Sequence, residues 1–190
     1  MSQITNVTPL EVSEWDAKLA SVAADMRGRP LNVHKLMANH PDLLLAWWDL
    51  RNHAVRGGSL DQRHREMVIL RVAVHMKCWY EWASHVERGL NAGLSIEEIE
   101  RIRQEELQSG WTRDDTLVLQ ATSECLLERR IAKKTLAEMR NSFDITQLMD
   151  LITIVGVYSI LGTMINTWGL ELDDFIDLPG DVQEESWPGS

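Results

Sequence analysis

The stretch HMKCWYEWASH, residues 75–85, places a thiol, a carboxylic acid and an imidazole close together in the chain. Each residue of an α-helix advances by about 100°, so Glu81 and His85 lie roughly 300° and 340° around the axis from Cys78. The three side chains therefore share one face, within a sector of about 60°. Together they offer a nucleophile, an acid and a base to one small molecule.

Each of these residues has a chemical role that its neighbours favour. Glu81 stands four residues before His85, close enough to hydrogen-bond to the imidazole and orient it, and His85 would then move a proton. A helix start near Cys78, with Lys77 beside it, would lower the pKa of the thiol. The same pattern also fits a surface acid–imidazole pair next to a space-filling cysteine.

Glu66 stands twelve residues before Cys78 and is predicted to belong to the preceding helical segment. An antiparallel or bent arrangement would bring it to the same pocket, where a second carboxylate beside Glu81 would raise one of the two pKa values. Thiolate, carboxylate and imidazole are also metal ligands. No paired CxxC or HExxH spacing occurs in the chain, so no metal site is predicted.

The remaining histidines and the second cysteine are expected to have structural roles. Solvated or capping positions are predicted for His34, His40, His53 and His64, and a core or interface position for His75. Cys125 lies among leucines and is predicted to be a small buried apolar residue. Two cysteines are too few for a disulfide framework and agree with a reducing compartment.

Helical spacing recurs almost everywhere in the chain and strand alternation is hard to find, which predicts an all-α protein. Ser13 is predicted to begin an N-terminal helix that ends near RGRP, and Pro41 and Asp61 to begin two more. Ser95 stands three residues before Glu98, the spacing of a capping box. The apolar stretch DITQLMDLITIVGVYSILGTMINTWGLEL is expected to form a central helix surrounded by the others.

The formal net charge of −10 is concentrated at the carboxyl end of the chain. Residues 171–190 contain seven acids and no Lys or Arg, while the rest of the chain carries 19 basic and 22 acidic residues. A nearly neutral body lacks the concentrated basic surface that nucleic acid requires, so nucleic acid is not predicted as a partner. The segment GDVQEESWPGS is expected to be a solvated terminus.

The amino-terminal residues show no cationic start followed by an apolar run, so no secretory signal is predicted. Polar side chains interrupt the longest apolar stretch before it reaches about 18 residues. These two observations predict a cytoplasmic protein that does not enter a membrane.

The run LDQRHREMVILRVAVHMKCWYEWASHVERGLNAGLSIEEIERI resembles the carboxymuconolactone decarboxylase superfamily, which includes the alkylhydroperoxidase-D-like proteins. The resemblance continues through GWTRDDTLVLQATSECL and LMDLITIVGVYSILGTMINTWGLEL. It implies a single-domain, all-α helical bundle over residues 30–172, preceded by an N-terminal helix in 1–29 and followed by an acidic tail in 173–190. It further implies a cofactor-free homo-oligomer, a trimer or hexamer with a dimer possible, whose sites lie at or near subunit contacts.

Two branches of that family are relevant to the residues from Glu66 to His85. The peroxidase branch has a glutamate, a cysteine twelve positions on, a second cysteine three later and a histidine four beyond. This sequence matches except at Glu81, which stands where the second cysteine belongs, so Cys78 has no local partner for a disulfide. The decarboxylase branch has a glutamate followed four positions later by a histidine, as Glu81 and His85 are, and "YEW" resembles a CxYEWxxH subgroup.

The leading hypothesis is therefore a cofactor-independent lyase or isomerase that decarboxylates or isomerises a small acidic cyclic or enolisable substrate. In this hypothesis His85 is the proton donor or base and Glu81 orients it. Glu66 supplies a second acid or a hydrogen bond, and Cys78 is a pocket acid or polar wall. The alternatives are a one-cysteine thiol peroxidase and a non-catalytic helical ligand-binding oligomer.

Aromatic residues are the predicted contacts for the substrate. The chain contains eight tryptophans, which suits buried interfaces as well as a pocket. Aromatic side chains on a helix are more often part of the core. With that alternative open, the residues predicted to line the pocket or face a neighbouring subunit are Tyr80, Trp82, Trp47, Trp48 and Tyr158.

Overall fold

The computed structural model describes residues 7–26, 29–104, 109–179 and Trp187. Within these residues the chain is all-α, a single helical domain, which confirms the predicted fold class. The α-helices are α1 (Ala20–Asp25), α2 (Asn32–Met37), α3 (Pro41–Asn52), α4 (Gln62–Met76), α5 (Trp79–Asn91), α6 (Ile96–Ile102), α7 (Arg113–Glu128), α8 (Lys133–Met139) and α9 (Ile145–Trp168).

Local sequence signals account for most helix ends. Asp61 caps α4 by accepting a hydrogen bond from the His64 backbone N–H at 3.0 Å. Ser95 begins α6 with the predicted capping box, in which Glu98 returns a side-chain bond to the Ser95 backbone. Each of these caps satisfies N–H groups that the first turn of a helix leaves without a partner.

Helices α4 and α9 form the centre of the bundle. α4 packs against α5, α7 and α9, so it is surrounded on most sides. α9 contributes a long buried face to the same core, which includes Leu151, Ile154, Tyr158 and Leu161. The prediction of a central apolar helix is therefore confirmed.

α9 is also the helix, within the described part of the chain, that is long and apolar enough to cross a membrane by length and composition alone. In its most apolar window 56% of the residues are buried inside the protein. The core helix of a bundle has the same length and composition, so this feature alone does not indicate a membrane span.

The amino-terminal helix is shorter than predicted. Val12–Glu14 and Ala17–Leu19 are separate 3₁₀ turns, and α1 begins only at Ala20. The Asp16 side chain accepts a hydrogen bond from the Lys18 backbone N–H at 2.9 Å, which starts a new turn where the prediction continued one helix. A local side-chain bond of this kind competes with regular helix formation.

The described part of the acidic tail, residues 173–190, contains two residues that are buried. Asp173 is buried and accepts hydrogen bonds from the Tyr80 hydroxyl and from the Asn32 backbone N–H. Trp187 is also buried and packs at 5.2 Å against the ring of Trp82. For Trp187 the prediction of a solvated terminus was wrong, because the tail charge gave no sign of its contact with Trp82. The rest of GDVQEESWPGS lies outside the described residues, apart from Trp187.

Candidate active site

A sharp turn between α4 and α5 brings the predicted site residues together. Lys77 ends α4 in the left-handed conformation, with φ at 51°, and Cys78 then occupies the N-cap position of α5. This helix start is the one on which the expected lowering of the thiol pKa depended. Because α4 folds back against α5, Glu66 on α4 comes next to His85 on α5.

The central contact of the site is a buried hydrogen bond between His85 and Glu66. The His85 Nδ1 atom lies 2.6 Å from Glu66 Oε2, and both side chains are almost fully buried. On the other side of the ring, Arg88 Nη1 lies 3.3 Å from His85 Nε2. A guanidinium can only donate, so Nε2 accepts and the imidazole proton resides on Nδ1, where it is donated to Glu66. His85 is thus placed as a neutral base.

The protonation of His85 agrees with that placement. Burial lowers the pKa of the imidazole, and the Arg88 and Arg51 charges lower it further, against the opposing effect of Glu66. A neutral imidazole is favoured because its charged form would lose hydration in the protein interior. The accepting Nε2 atom is therefore ready to take up a proton at neutral pH.

Glu81 lies beside the same imidazole but at a longer distance. Its Oε2 atom is 3.8 Å from His85 Nε2, beyond hydrogen-bond range. Burial raises the pKa of Glu81 to about 7, with Glu66 adding to the rise and Arg88 and Arg51 opposing it. The bond that orients His85 therefore comes from Glu66, whereas the sequence assigned it to Glu81. Glu81 is instead an acid that titrates near neutral pH.

Cys78 has the opposite character to the one predicted. Its side chain is 0% exposed, and burial together with the Glu81 charge raises the pKa of the thiol to about 12. The helix amino terminus and Lys77 were expected to lower this pKa, and desolvation outweighs them because the thiol is sealed from water. Cys125, on α7, also has its pKa raised, to about 11, and both cysteines are free.

A small cavity of about 20 Å³ lies next to His85. This volume admits about one water molecule. Its walls come from the loop before α2 and from helices α2, α3, α5 and α9. The lining residues are Leu31, Val33, His34, Trp47, Arg51, Tyr80, Glu81, Ser84, His85, Arg88, Tyr158 and Leu161.

Three of the five aromatic residues predicted to bind substrate line this cavity, namely Trp47, Tyr80 and Tyr158. The Tyr158 ring meets the His85 imidazole edge to face at 5.2 Å. Trp48 lies outside the cavity wall, stacked under the Arg51 guanidinium at 5.0 Å. Trp82 faces away from the cavity and packs against Trp187.

Four polar residues of the cavity wall were missed by the sequence reasoning: His34, Arg51, Ser84 and Arg88. His34 was predicted to be solvated or capping, but it is buried, and desolvation lowers its pKa to about 3. Arg51 follows Trp47 by four residues and Arg88 follows His85 by three, so each shares a helix face with a predicted site residue. The sequence signal that could have identified Arg51 and Arg88 was a positively charged residue on a helix face that is otherwise buried.

The possible metal ligands do not gather into a metal centre. Among residues 7–26, 29–104, 109–179 and 187, no group of three or more His, Cys, Asp or Glu side chains is arranged to hold an ion. The polar groups next to His85 are instead suited to proton transfer and to holding charge.

The fold and the site define a class of protein: an all-helical bundle with a buried acid–imidazole pair between two packed helices. Residues 41–123 match the model of the Carboxymuconolactone decarboxylase family. Over this segment the chain is similar to the carboxymuconolactone decarboxylase family. No curated protein sequence matches the chain.

Solved structures with the same fold extend the likeness beyond the matched segment. An alkylhydroperoxidase AhpD core protein from Ralstonia eutropha has a TM-score of 0.77 at 16% identity, covering 92% of this chain and 95% of that one. A peroxidase-related protein from Silicibacter sp. has a TM-score of 0.73 at 17% identity, covering 93% and 97%. A debrominase in complex with 2,3,4-tribromopyrrole has a TM-score of 0.74 at 13% identity, covering 92% and 95%.

Proposed function

We propose that this chain is a cofactor-independent enzyme that moves a proton to or from carbon in a small acidic, enolisable substrate. Members of the family are enzymes, which supports a catalytic role in general terms. The observation that carries the specific proposal is the hydrogen bond of 2.6 Å between His85 Nδ1 and Glu66. This bond holds the imidazole proton on Nδ1 and leaves Nε2, 3.3 Å from Arg88 Nη1, as the basic nitrogen of a residue that lines the cavity. An acid, Glu81, lies 3.8 Å from that base.

An isomerisation uses these two groups in sequence. His85 Nε2 takes a proton from the carbon next to a carbonyl, and the electron pair of the broken C–H bond moves into an enolate. Glu81 or the imidazolium then returns a proton to a different carbon, which shifts the double bond. Glu66 stabilises the imidazolium that exists between the two steps.

A decarboxylation uses the same groups with a different first step. The carbon–carbon bond to a carboxylate breaks, carbon dioxide leaves, and the electron pair enters a conjugated dienolate. Glu81 then donates its proton to that dienolate on carbon, and the resulting carboxylate regains a proton from water. The charges of the buried Arg51 and the partly buried Arg88 stabilise the negative oxygen in both reactions, because a cation acts strongly where water is excluded.

A one-cysteine thiol peroxidase is the alternative within enzymology, and the environment of Cys78 weighs against it. Peroxide reduction needs a thiolate that peroxide can reach. Cys78 is fully buried, its pKa is raised, and it is absent from the wall of the cavity beside His85.

A non-catalytic ligand-binding oligomer is the third candidate, and a solvent-facing acid–imidazole group would favour it. The buried geometry of Glu66, Glu81 and His85 favours catalysis instead.

Hydrogen exchange at carbon tests the proposal. Small unsaturated lactones and enolisable keto acids are incubated with the protein in deuterated water, and NMR spectroscopy records deuterium incorporation and loss of the carboxyl group. We expect at least one substrate to react, and His85→Ala to lower that rate by about 10²- to 10⁴-fold, the usual contribution of a general base.

Cys78→Ser is the matched control, since it removes the thiol about two helical turns from the imidazole. Under the proposal this variant keeps most of the exchange activity. The peroxidase alternative would be established if the wild type consumed peroxide, Cys78→Ser abolished that consumption, and no His85-dependent hydrogen exchange at carbon were detected.

A further inference from the structure

Three residues in the wall of the His85 cavity carry a polar atom that has no hydrogen-bond partner in the protein. The atoms are His34 Nδ1, Trp47 Nε1 and Ser84 Oγ. Each of these side chains is more than nine-tenths buried. Buried polar atoms are nearly always paired, so their common position on one small cavity indicates a polar group that belongs there.

The charge around the cavity specifies what kind of group that is. Among the described residues, neither Arg51 nor Arg88 forms an ion pair with a carboxylate. Arg51 Nη1 donates to Asn52 Oδ1 at 3.0 Å, and Arg88 Nη1 donates to His85 Nε2 at 3.3 Å. Arg51 is buried and Arg88 is partly buried. A buried guanidinium without a counter-ion is costly, so Arg51, with a second cation beside it, favours an anion at this cavity.

The acidic groups nearby do not neutralise both cations. The Glu66 carboxyl is engaged by the His85 imidazole, and Glu81 has its pKa raised to about 7 by burial. Tyr158 is buried against the same groups, and burial raises the pKa of its phenol, so it adds no negative charge. His34 is neutral because burial and the two guanidinium groups lower its pKa to about 3.

We propose that a monoanionic substrate binds here through its carboxylate, one oxygen of which takes the one-water space of the cavity, and that the Arg51 and Arg88 guanidinium groups, the Trp47 indole N–H and the Ser84 hydroxyl hold that carboxylate. A guanidinium presents two parallel N–H donors that match the two oxygens of a carboxylate. Because His85 lines the same cavity, a carboxylate held there brings its adjoining carbon to the base. The inference rests on the proposed function for the identity of the ligand as substrate, but its test measures binding alone.

The test is an NMR titration of the ¹⁵N-labelled full chain with acetate, and with acetamide as the uncharged analogue of the same shape. The Trp47 indole signal, assigned with Trp47→Phe, reports on the cavity. We expect acetate to shift this signal saturably and acetamide to leave it in place. Arg51→Met should weaken acetate binding by about ten- to a hundredfold, the value of hydrogen bonds to a charged group.

Arg101→Met is the matched control for Arg51→Met. Arg101 also places its guanidinium over a tryptophan, at 4.7 Å from the Trp111 ring, but away from the cavity. Acetate affinity should be the same in this variant and the wild type. Ser84→Ala is a milder second test, expected to weaken acetate several-fold without removing a buried charge, should Arg51→Met fold poorly.

Several results would overturn the inference. The carboxylate site would be ruled out if acetamide or chloride shifted the Trp47 indole signal as acetate does. It would also be ruled out if Arg51→Met and Ser84→Ala both bound acetate with the wild-type affinity. If these appear together with His85-dependent exchange at carbon, the proposed function stands without this inference. If acetate binding depends on Arg51 but no substrate exchanges hydrogen at carbon, the carboxylate site stands and the proposed function is wrong.

Discussion

Burial decides which groups of the site carry a proton. Glu81 is surrounded by protein, and loss of hydration raises its pKa to about 7 from an ordinary value of 4.5. The same loss of hydration keeps His85 neutral and the Cys78 thiol protonated. One acid that can still donate and one base that can still accept thus coexist at neutral pH, as proton transfer in both directions requires.

The raised pKa of Glu81 has a consequence for stability. A group whose pKa is higher in the folded protein stabilises the fold fully below its unfolded pKa, and this contribution is lost as the pH rises through the folded value. For Glu81 the loss falls between about pH 4.5 and 7 and amounts to about 3 kcal/mol. Glu81→Gln should remove it, because glutamine stays neutral throughout.

The measurement is the free energy of unfolding in urea at pH 5 and at pH 8. We expect the wild type to lose more stability than Glu81→Gln over this interval. Glu87→Gln is the control, since Glu87 is exposed on the same helix. Equal pH dependence in wild type and Glu81→Gln would show that Glu81 ionises as easily in the fold as in the unfolded chain.

At the level of elements, the site depends on the turn between α4 and α5. Lys77 occupies the left-handed region there with φ at 51°, and Arg129 does so at the end of α7 with φ at 62°. This conformation costs a residue with a side chain about 1–2 kcal/mol, which glycine avoids at some cost in unfolded-state entropy. Lys77→Gly and Arg129→Gly should therefore each stabilise the protein by about 0.5–1 kcal/mol.

Thermal and urea unfolding of the two variants provide the check. Arg129 is exposed and remote from the cavity, so it reports the backbone effect together with the loss of one exposed hydrogen bond, from its guanidinium to the Leu126 carbonyl. A loss of stability in Lys77→Gly with a gain in Arg129→Gly would contradict the prediction. It would mean that the Lys77 side chain stabilises the turn by more than its backbone strain costs.

The elements were largely predictable from sequence because helix signals are local. Caps such as Asp61 and Ser95 act within three residues of the helix start. The partner of His85 could not be assigned in this way, since Glu66 reaches it only when α4 folds back on α5. The predicted lowering of the Cys78 pKa was wrong for the same reason, because the desolvation of the thiol is set by helices distant in sequence, including α9 at Gly162.

For the whole molecule, α9 has two apolar faces and only one of them packs inside the bundle. The other is a stripe of exposed side chains at helical spacing, made of Ile145, Met149, Ile152 and Ile160. It is about 22 Å long and contains no charged residue. A stripe of this kind is typical of a protein interface.

We propose that a second copy of the chain covers this stripe, which is the homo-oligomer expected from the family resemblance. The wild type should therefore have a mass in solution above the 21.7 kDa of one chain when measured by light scattering after size exclusion.

Ile152 is 51% exposed at the middle of the stripe, so Ile152→Glu leaves the bundle core intact but places a carboxylate at the contact. Burying that charge unpaired costs several kcal/mol, enough to weaken association by at least about a hundredfold. Leu127→Glu, at a 70% exposed apolar position on α7, is the control and should keep the wild-type mass. A wild type that elutes at the mass of a single chain at micromolar concentration, or an Ile152→Glu variant that retains the wild-type mass, would remove α9 as the interface.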